Sequence, residues 1–179
     1  MKKQITIFDH ADMILNGLKQ GALLTTKAGG KVNTMTISWG TIGIEWGKPI
    51  FITFVREHRL TREMLDENGE FTVSIPTEKS DRKIGGFCGM HSGRNTDKIK
   101  QMNLTLSKSD KIDVPGIREY PLILECRLLY RQKQDLGLLP REIVMRDYPE
   151  NVESTAPLAN KDCHTAYYGE IVNAYIIKD

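Results

Sequence analysis

The distribution of apolar residues along the chain changes period several times, and mostly reads as strands. Residues 21–26 form a short β-tolerant run closed by the Gly29-Gly30 turn signal. In residues 33–46, Met35, Ile37 and Trp39 share one face, opposite Thr34, Thr36 and Ser38. Past Gly40 the phase inverts, because Ile42, Ile44 and Trp46 occupy even positions. A period-2 pattern cannot change face without an extra residue or a bend, so a bulge or kink is predicted at residues 40–43. Pro49 introduces Ile50-Phe51-Ile52-Thr53-Phe54-Val55, a run suited to a strand buried on both faces. Phe71, Val73 and Ile75 alternate with Thr72 and Ser74 as a half-buried strand. Residues 122–128 alternate again, and residues 167–177 are rich enough in Tyr, Ile and Val to form a last strand.

Helical signals are short. Residues 9–18 carry Ala11, Ile14, Leu15 and Leu18 on one side, with Asp9 in an N-cap position. Residues 61–68 are opened by Thr61, carry Met64 and Leu65, and are stopped by Gly69. Residues 80–85 and 96–102 each begin with a hydroxyl residue, and residues 140–148 begin with proline and precede Pro149. Many strands with small helices between them predict a mostly β fold with short helices, a closed or partly closed barrel. Residues 132–162 carry few strand signals and are expected to leave the barrel, to pack on a partner or cover a site.

The length of 179 residues suits one domain spanning 1–179. Lys and Arg number 25 against 23 Asp and Glu, a net charge of +2 that disfavours a nucleic-acid carrier or a polybasic membrane anchor. With 40% hydrophobic and 27% charged residues, wholesale disorder is not expected. No apolar run approaches the roughly 18 residues of a membrane span, and the two N-terminal lysines have no signal-like apolar run behind them. Three cysteines, Cys88, Cys126 and Cys163, without a Cys-x-x-Cys pair, predict free thiols and a reducing, cytoplasmic setting.

No serine-hydrolase elbow, zincin motif or P-loop is present, and His10, His58, His91 and His164 show no convincing metal-ligand spacing, Cys88 with His91 being at best a weak pair. Four segments carry other chemistry. Arg56-Glu57-His58-Arg59-Leu60-Thr61 joins a strand to a helix; two guanidinium groups, a hydroxyl and helix amides there suit a phosphate. The same residues also suit a capped helix whose arginines face solvent. The loop at residues 88–98 combines close-approach glycines with Ser92, Arg94 and Lys98, or is an ordinary turn with a charged rim. The hydroxyl-rich strand from Asn33 to Trp39 can line the polar edge of a planar heterocycle, or be a barrel strand with one wet face. His164 stands at a strand entrance before Tyr167, Tyr168 and Gly169, a place more often structural than functional.

Taken in order, these segments resemble the flavin reductase-like family with the FMN-binding split-barrel fold, and most closely its flavoredoxin-type branch. The resemblance rests on Asn33-Thr34-Met35-Thr36-Ile37-Ser38-Trp39, Arg56 to Thr61, Phe71-Thr72-Val73-Ser74-Ile75-Pro76, and Cys88-Gly89 followed by Ser92-Gly93-Arg94 and Lys98. It continues through Leu136-Gly137-Leu138-Leu139-Pro140 and the segment from His164 to Ile171, covering nearly the whole chain. It implies a homodimer holding FMN non-covalently near its interface. The implied contacts are Asn33, Met35, Thr36, Ser38 and Trp39 along the flavin, and Val55, Arg56, Arg59 and Thr61 at the ribityl phosphate end. Ser92, Gly93 and Lys98 are implied near the cofactor, and His164 near the flavin or its nicotinamide partner. Asn95 stands where relatives carry Asp after Ser-Gly-Arg, a change expected to alter loop capping more than cofactor affinity.

FMN brings its own redox chemistry, so no acid, base or nucleophile of the protein is obligatory and no catalytic residue is assigned. Three functions are carried forward. One is an electron-transfer flavoprotein serving an unidentified donor or acceptor protein, with NADH or NADPH as a possible electron source. The second is an NAD(P)H:flavin oxidoreductase that releases reduced flavin to a monooxygenase. The third is a non-enzymatic module for a phosphorylated ligand or an RNA, the latter disfavoured by the near-neutral charge.

Overall fold

Glycine sets the first hairpin. Gly29 and Gly30 have φ of 53° and 76°, in the left-handed region, and they join β2 (Ala22–Ala28) to β3 (Lys31–Ile37) in a two-residue loop with Ala28 opposite Lys31. The computed structural model describes residues 1–149 and 163–178. The other strands are β1 (Lys2–Gln4), β4 (Gly40–Glu45), β5 (Lys48–Arg56), β6 (Glu70–Ile75), β7 (Leu106–Ser107), β8 (Gly116–Ile117), β9 (Leu122–Lys133) and β10 (His164–Ile177). The helices are α1 (Ala11–Gly21), α2 (Leu60–Glu67), α3 (Arg82–Met90), α4 (Lys98–Gln101) and α5 (Arg141–Asp147).

The protein is mostly β with short helices, built as a split barrel. The hydrogen-bonded path runs β3-β2-β6-β9-β10-β5-β4, all antiparallel, with β1 added on β10 and a separate β7-β8 ribbon. The run at residues 33–46 is therefore not one strand bent at 40–43. It is two strands, β3 and β4, interrupted at Ser38–Trp39 and lying at opposite ends of the path. The phase inversion marks this parting, placed two residues earlier than expected.

Two further expectations are revised. In β5, Phe51, Thr53 and Val55 are fully buried while Ile52 and Phe54 are half-buried, so this strand has an inner and an outer face. Conversely β6 is buried on both faces. Thr72 Oγ1 donates to Pro115 O (2.8 Å) and Ser74 Oγ accepts from Ile117 N (2.9 Å), because the chain before β9 covers the outer side. A polar residue that bonds a covering backbone is compatible with full burial.

The main core gathers Phe51, Val55, Leu65, Phe71, Ile75 and Tyr167, and a smaller one joins Leu23, Ile84, Ile117 and Tyr120 beneath α3. In α1, Ile14 and Leu18 face the core as expected, while Leu15 is exposed and Gly17 takes the third inner position. The expected caps shift. Asp9 and Thr61 cap nothing, and α3 and α4 begin at Asp81 and Asp97, whose carboxylates accept from Lys83 N and Lys100 N. A carboxylate in these positions also meets the positive end of the helix dipole. α5 occupies the expected place, and the rest of the 132–162 excursion lies largely outside the described residues.

Gly169 sits where the β9–β10 register shifts. A Cβ there would stand 2.4 Å from Phe71 Cζ and 3.0 Å from Cys126 Cβ, both in the filled core. Gly169→Ala is expected to lower the free energy of unfolding by about 1–3 kcal/mol through overpacking. Gly43→Ala, with nothing within 4 Å, is the control. Urea denaturation checks this, and equal losses in the two variants would contradict the packing argument.

Candidate cofactor site

The parting of β3 from β4 leaves a concavity at one end of the barrel. The end of β5 pairs with the start of β10, so Arg56 stands opposite His164. Together with the C-terminal half of β3 and the residues 38–39 they line a cavity of about 440 Å³, which also includes Phe54, Arg59, Arg146 and Asp147. A second cavity of about 200 Å³ lies beyond Met35 and Arg59, which line both. Asn33, Thr61, Ser92, Gly93 and Lys98 line this second space. The first volume falls within the range of about 300–1,000 Å³ usual for small-molecule sites.

Of the residues expected at a site, Met35, Thr36, Ser38, Trp39, Arg56, Arg59 and His164 line the first cavity. Asn33, Thr61, Ser92, Gly93 and Lys98 line the second. Val55 is the correction. It is fully buried in the main core and lines neither cavity, because strand alternation turns its neighbours Phe54 and Arg56 outward instead. Arg94 is drawn to the surface by a two-bond ion pair with Glu63.

Local bonds hold the lining in place. Asn33 Nδ2 donates to Thr61 Oγ1 (2.9 Å), tying β3 to the start of α2. Thr61 is thus a strut between elements rather than a cap. Gly93 allows the 92–93 loop to close on this pair: a Cβ there would stand 2.0 Å from Asn33 Oδ1. Thr36 Oγ1 donates to Gly85 O (2.5 Å), so its hydroxyl offers the cavity lone pairs only. Lys98 is 4% exposed and donates to Cys88 O and His91 O, each at 3.3 Å. Burial lowers its amine to about 8, and the positive Arg59 and Lys31 act in the same direction.

The charge at the junction is positive. Arg56 is engaged: Nη2 donates to Asp147 O (2.9 Å), and its guanidinium lies 5.1 Å from the Tyr148 ring centre. Arg59 is half-buried and, among the described residues, makes no side-chain hydrogen bond or ion pair. Burial first and the Arg56 charge second lower its pKa. The first turn of α2 beside it has no side-chain cap, and its Leu60 and Thr61 line the smaller cavity with Arg59. A half-buried cation next to another cation and uncapped amides is a place where an anion relieves unfavourable charge.

The same cavity also has an aromatic lining. The Trp39 and His164 rings are 4.9 Å apart at 44°, with Phe54 along the same cavity. His164 is 7% exposed, its Nδ1 lies 2.7 Å from Tyr148 Oη, and burial first, then Arg56, lower its pKa to about 3. A cation without a partner among the described residues, hydroxyl groups and an aromatic pair supply the kinds of group that the three parts of FMN require. Phe54, Arg146, Asp147, His58 and His91 also line these cavities and were not singled out by sequence. The alternation of β5 could have found Phe54; nothing local to α5 tells where that helix lands.

Residues 19–179 match the flavin reductase like domain, and the chain belongs to that family. An uncharacterized protein of Archaeoglobus fulgidus is 31% identical over 99 residues; the alignment covers 55% of this chain and 55% of that relative's own length. Among solved structures, flavoredoxin of Desulfovibrio vulgaris (Miyazaki F) superposes with a TM-score of 0.65 at 22% identity, covering 88% of this chain and 69% of that one. The FMN-binding domain of a flavin reductases-like enzyme from Shewanella baltica gives a TM-score of 0.66 at 15% identity, covering 98% of this chain and 77% of that one. At these identities the two structures establish the shared fold.

The His164 pKa has a signed consequence. The folded protein resists protonating His164 until about pH 3, whereas the unfolded chain takes the proton near 6.5. Stability is whole above about pH 6.5 and declines as pH falls below it, by up to about 1.4 kcal/mol per pH unit from this group. His164→Asn is expected to remove that component. Urea midpoints measured between pH 7 and pH 5 should fall more steeply in the wild type than in the variant; parallel profiles would refute the assignment.

Proposed function

We propose that this chain is an FMN-binding oxidoreductase of the flavoredoxin type, which passes electrons through a non-covalently bound flavin. The observation that carries this reading is Arg59, a half-buried guanidinium without a partner among the described residues, lining the same cavity as the Trp39–His164 pair. The flavoredoxin neighbour supports it. When bound, FMN supplies the electron chemistry itself.

The protein's own groups bind and orient. Arg59, the uncapped turn of α2 and the Lys98 ammonium favour the doubly charged phosphate end. Thr61 accepts from Asn33 and so keeps its own O–H to donate. Ser38 and the lone pairs of Thr36 meet the hydroxyl-bearing middle. Trp39 and Phe54 give the flat ring an apolar surface and limit water on that side. NADH or NADPH as electron source, and a protein acceptor, belong to the same proposal.

A second reading has a specific support. Trp39 is 42% exposed and Ser38 is exposed, so the ring end of the cavity opens to solvent. An open ring end suits an NAD(P)H:flavin oxidoreductase in which the flavin enters and leaves as substrate.

FMN titration followed by flavin fluorescence is expected to show saturable binding to the purified protein. Arg59→Ala should weaken it about 10–100-fold, the loss of a bond to a charged group of about 1.5–3 kcal/mol. The exposed Arg82→Ala should stay near the wild type. No affinity for FMN, or unchanged affinity in Arg59→Ala, would overturn the reading. Steady-state NADH oxidation separates the alternatives: saturation in added FMN favours the oxidoreductase, and indifference to it favours the prosthetic group.

A homodimer is part of the proposal. Trp46, Tyr130 and Tyr168 form an aromatic cluster with ring separations of 5.2–6.3 Å, and Trp46 and Tyr130 are 55% and 45% exposed. Exposed clustered aromatics of this kind mark interaction surfaces. Light scattering is expected to give twice the mass of the chain, with Tyr130→Lys shifting it toward the monomer. A monomeric wild type would remove the dimer from the proposal.

A further inference from the structure

Two residues outside the cofactor contacts form a chain of polar atoms behind His164. Tyr148, the residue that ends α5, is 3% exposed, and its hydroxyl lies 3.0 Å from Gln134 Oε1 and 2.7 Å from His164 Nδ1. Gln134 is itself fixed by its backbone, whose N–H donates to His164 O at 2.9 Å. A tyrosine hydroxyl has one proton to give. Gln134 Oε1 has none, so the tyrosine proton goes to Gln134. With Gln134 presenting Oε1, the hydroxyl oxygen remains as an acceptor, and it pairs with Nδ1 of His164 when that ring nitrogen carries the hydrogen. The other nitrogen, Nε2, is left with its lone pair on a ring that lines the larger cavity.

We infer that Tyr148 and Gln134 are positioning residues that fix His164 as its Nδ1–H tautomer, so that Nε2 meets the occupant of the cavity as a hydrogen-bond acceptor. The charged groups around the imidazole are Arg56 from β5, Arg59 from the turn before α2, and Asp147 from the end of α5. The two arginines disfavour a second ring proton, and the buried setting acts in the same direction. The partner this selects is an N–H or O–H donor, not an anion. FMN carries both, in its ring and in its ribityl chain. The inference rests on the proposed cofactor reading only for the identity of that partner; the tautomer belongs to the free protein.

The test begins on ¹⁵N-labelled protein without ligand, by long-range proton–nitrogen correlation spectra of the imidazoles at pH 7, with His164→Asn supplying the assignment. His164 Nδ1 is expected as the protonated nitrogen and Nε2 as the bare one. Gln134→Leu removes the acceptor that takes the tyrosine proton, so Tyr148 Oη turns its hydrogen toward Nδ1 and the tautomer inverts, while His164 and Tyr148 are untouched. Gln134→Glu keeps an acceptor and should keep the wild-type tautomer. In FMN titration, Gln134→Leu is expected to bind about tenfold more weakly, and Gln134→Glu near the wild type.

A wild-type spectrum with hydrogen on Nε2 overturns the inference whether or not any variant folds. So does a Gln134→Leu protein that keeps its tautomer, or one that inverts it with unchanged FMN affinity. If FMN binds none of the proteins while the tautomer behaves as stated, the cofactor reading fails and the positioning role stands.

Discussion

Two consecutive strands, β3 and β4, must go to opposite ends of one hydrogen-bonded path, and only Ser38 and Trp39 are available to carry the chain between them. A sheet that curls cannot bond across that gap without another strand, so backbone groups and side chains there are left facing a concavity. The rest of the site follows from this. The end of β5 and the start of β10 bring Arg56 and His164 to the opening. The turn into α2 brings Arg59, and α5 returns with Asp147 and Tyr148. Strain is not required; the separation of the two strands is enough.

The surroundings of that opening combine cationic and aromatic groups from separate elements of the chain. Burial of Lys98 and the closeness of Arg56 to Arg59 gather cationic groups on the α2 side. Trp39 and Phe54 supply apolar area to the same cavity, and His164 adds a ring kept neutral by its buried position. A ligand that carries both an anionic group and a flat ring has a counterpart for each in this lining. Preorganised groups of this sort bind at lower cost than groups that must be gathered.

The core limits how far this arrangement can vary. Gly17, Gly93 and Gly169 each stand where a Cβ would enter another residue's space, at 2.3, 2.0 and 2.4 Å. They fix, in turn, α1 against β6, the 92–93 loop against Asn33, and β10 against Phe71. The site is therefore held by close packing behind it as well as by the bonds within it.

Much of this was legible in the residues alone. The Gly29-Gly30 hairpin, the strand-to-helix arginine turn and the 140–148 helix all depend on local preferences, which act over a few residues and leave a local signature. The phase inversion after Trp39 announced a change of face, but not that the two halves would part company, since which strand pairs with which is settled by long-range bonding. For the same reason the resemblance implies Val55 as a ligand contact and leaves out Phe54: the run from Ile50 to Val55 is apolar except for Thr53, and only the barrel decides which face is inside. The hydroxyls of Thr72 and Ser74 suggested a wet face until the chain before β9 was seen to cover them. Composition and motif order determined the kind of protein; tertiary structure decided which side chains meet, because burial and the pairing of distant strands are properties of the whole chain.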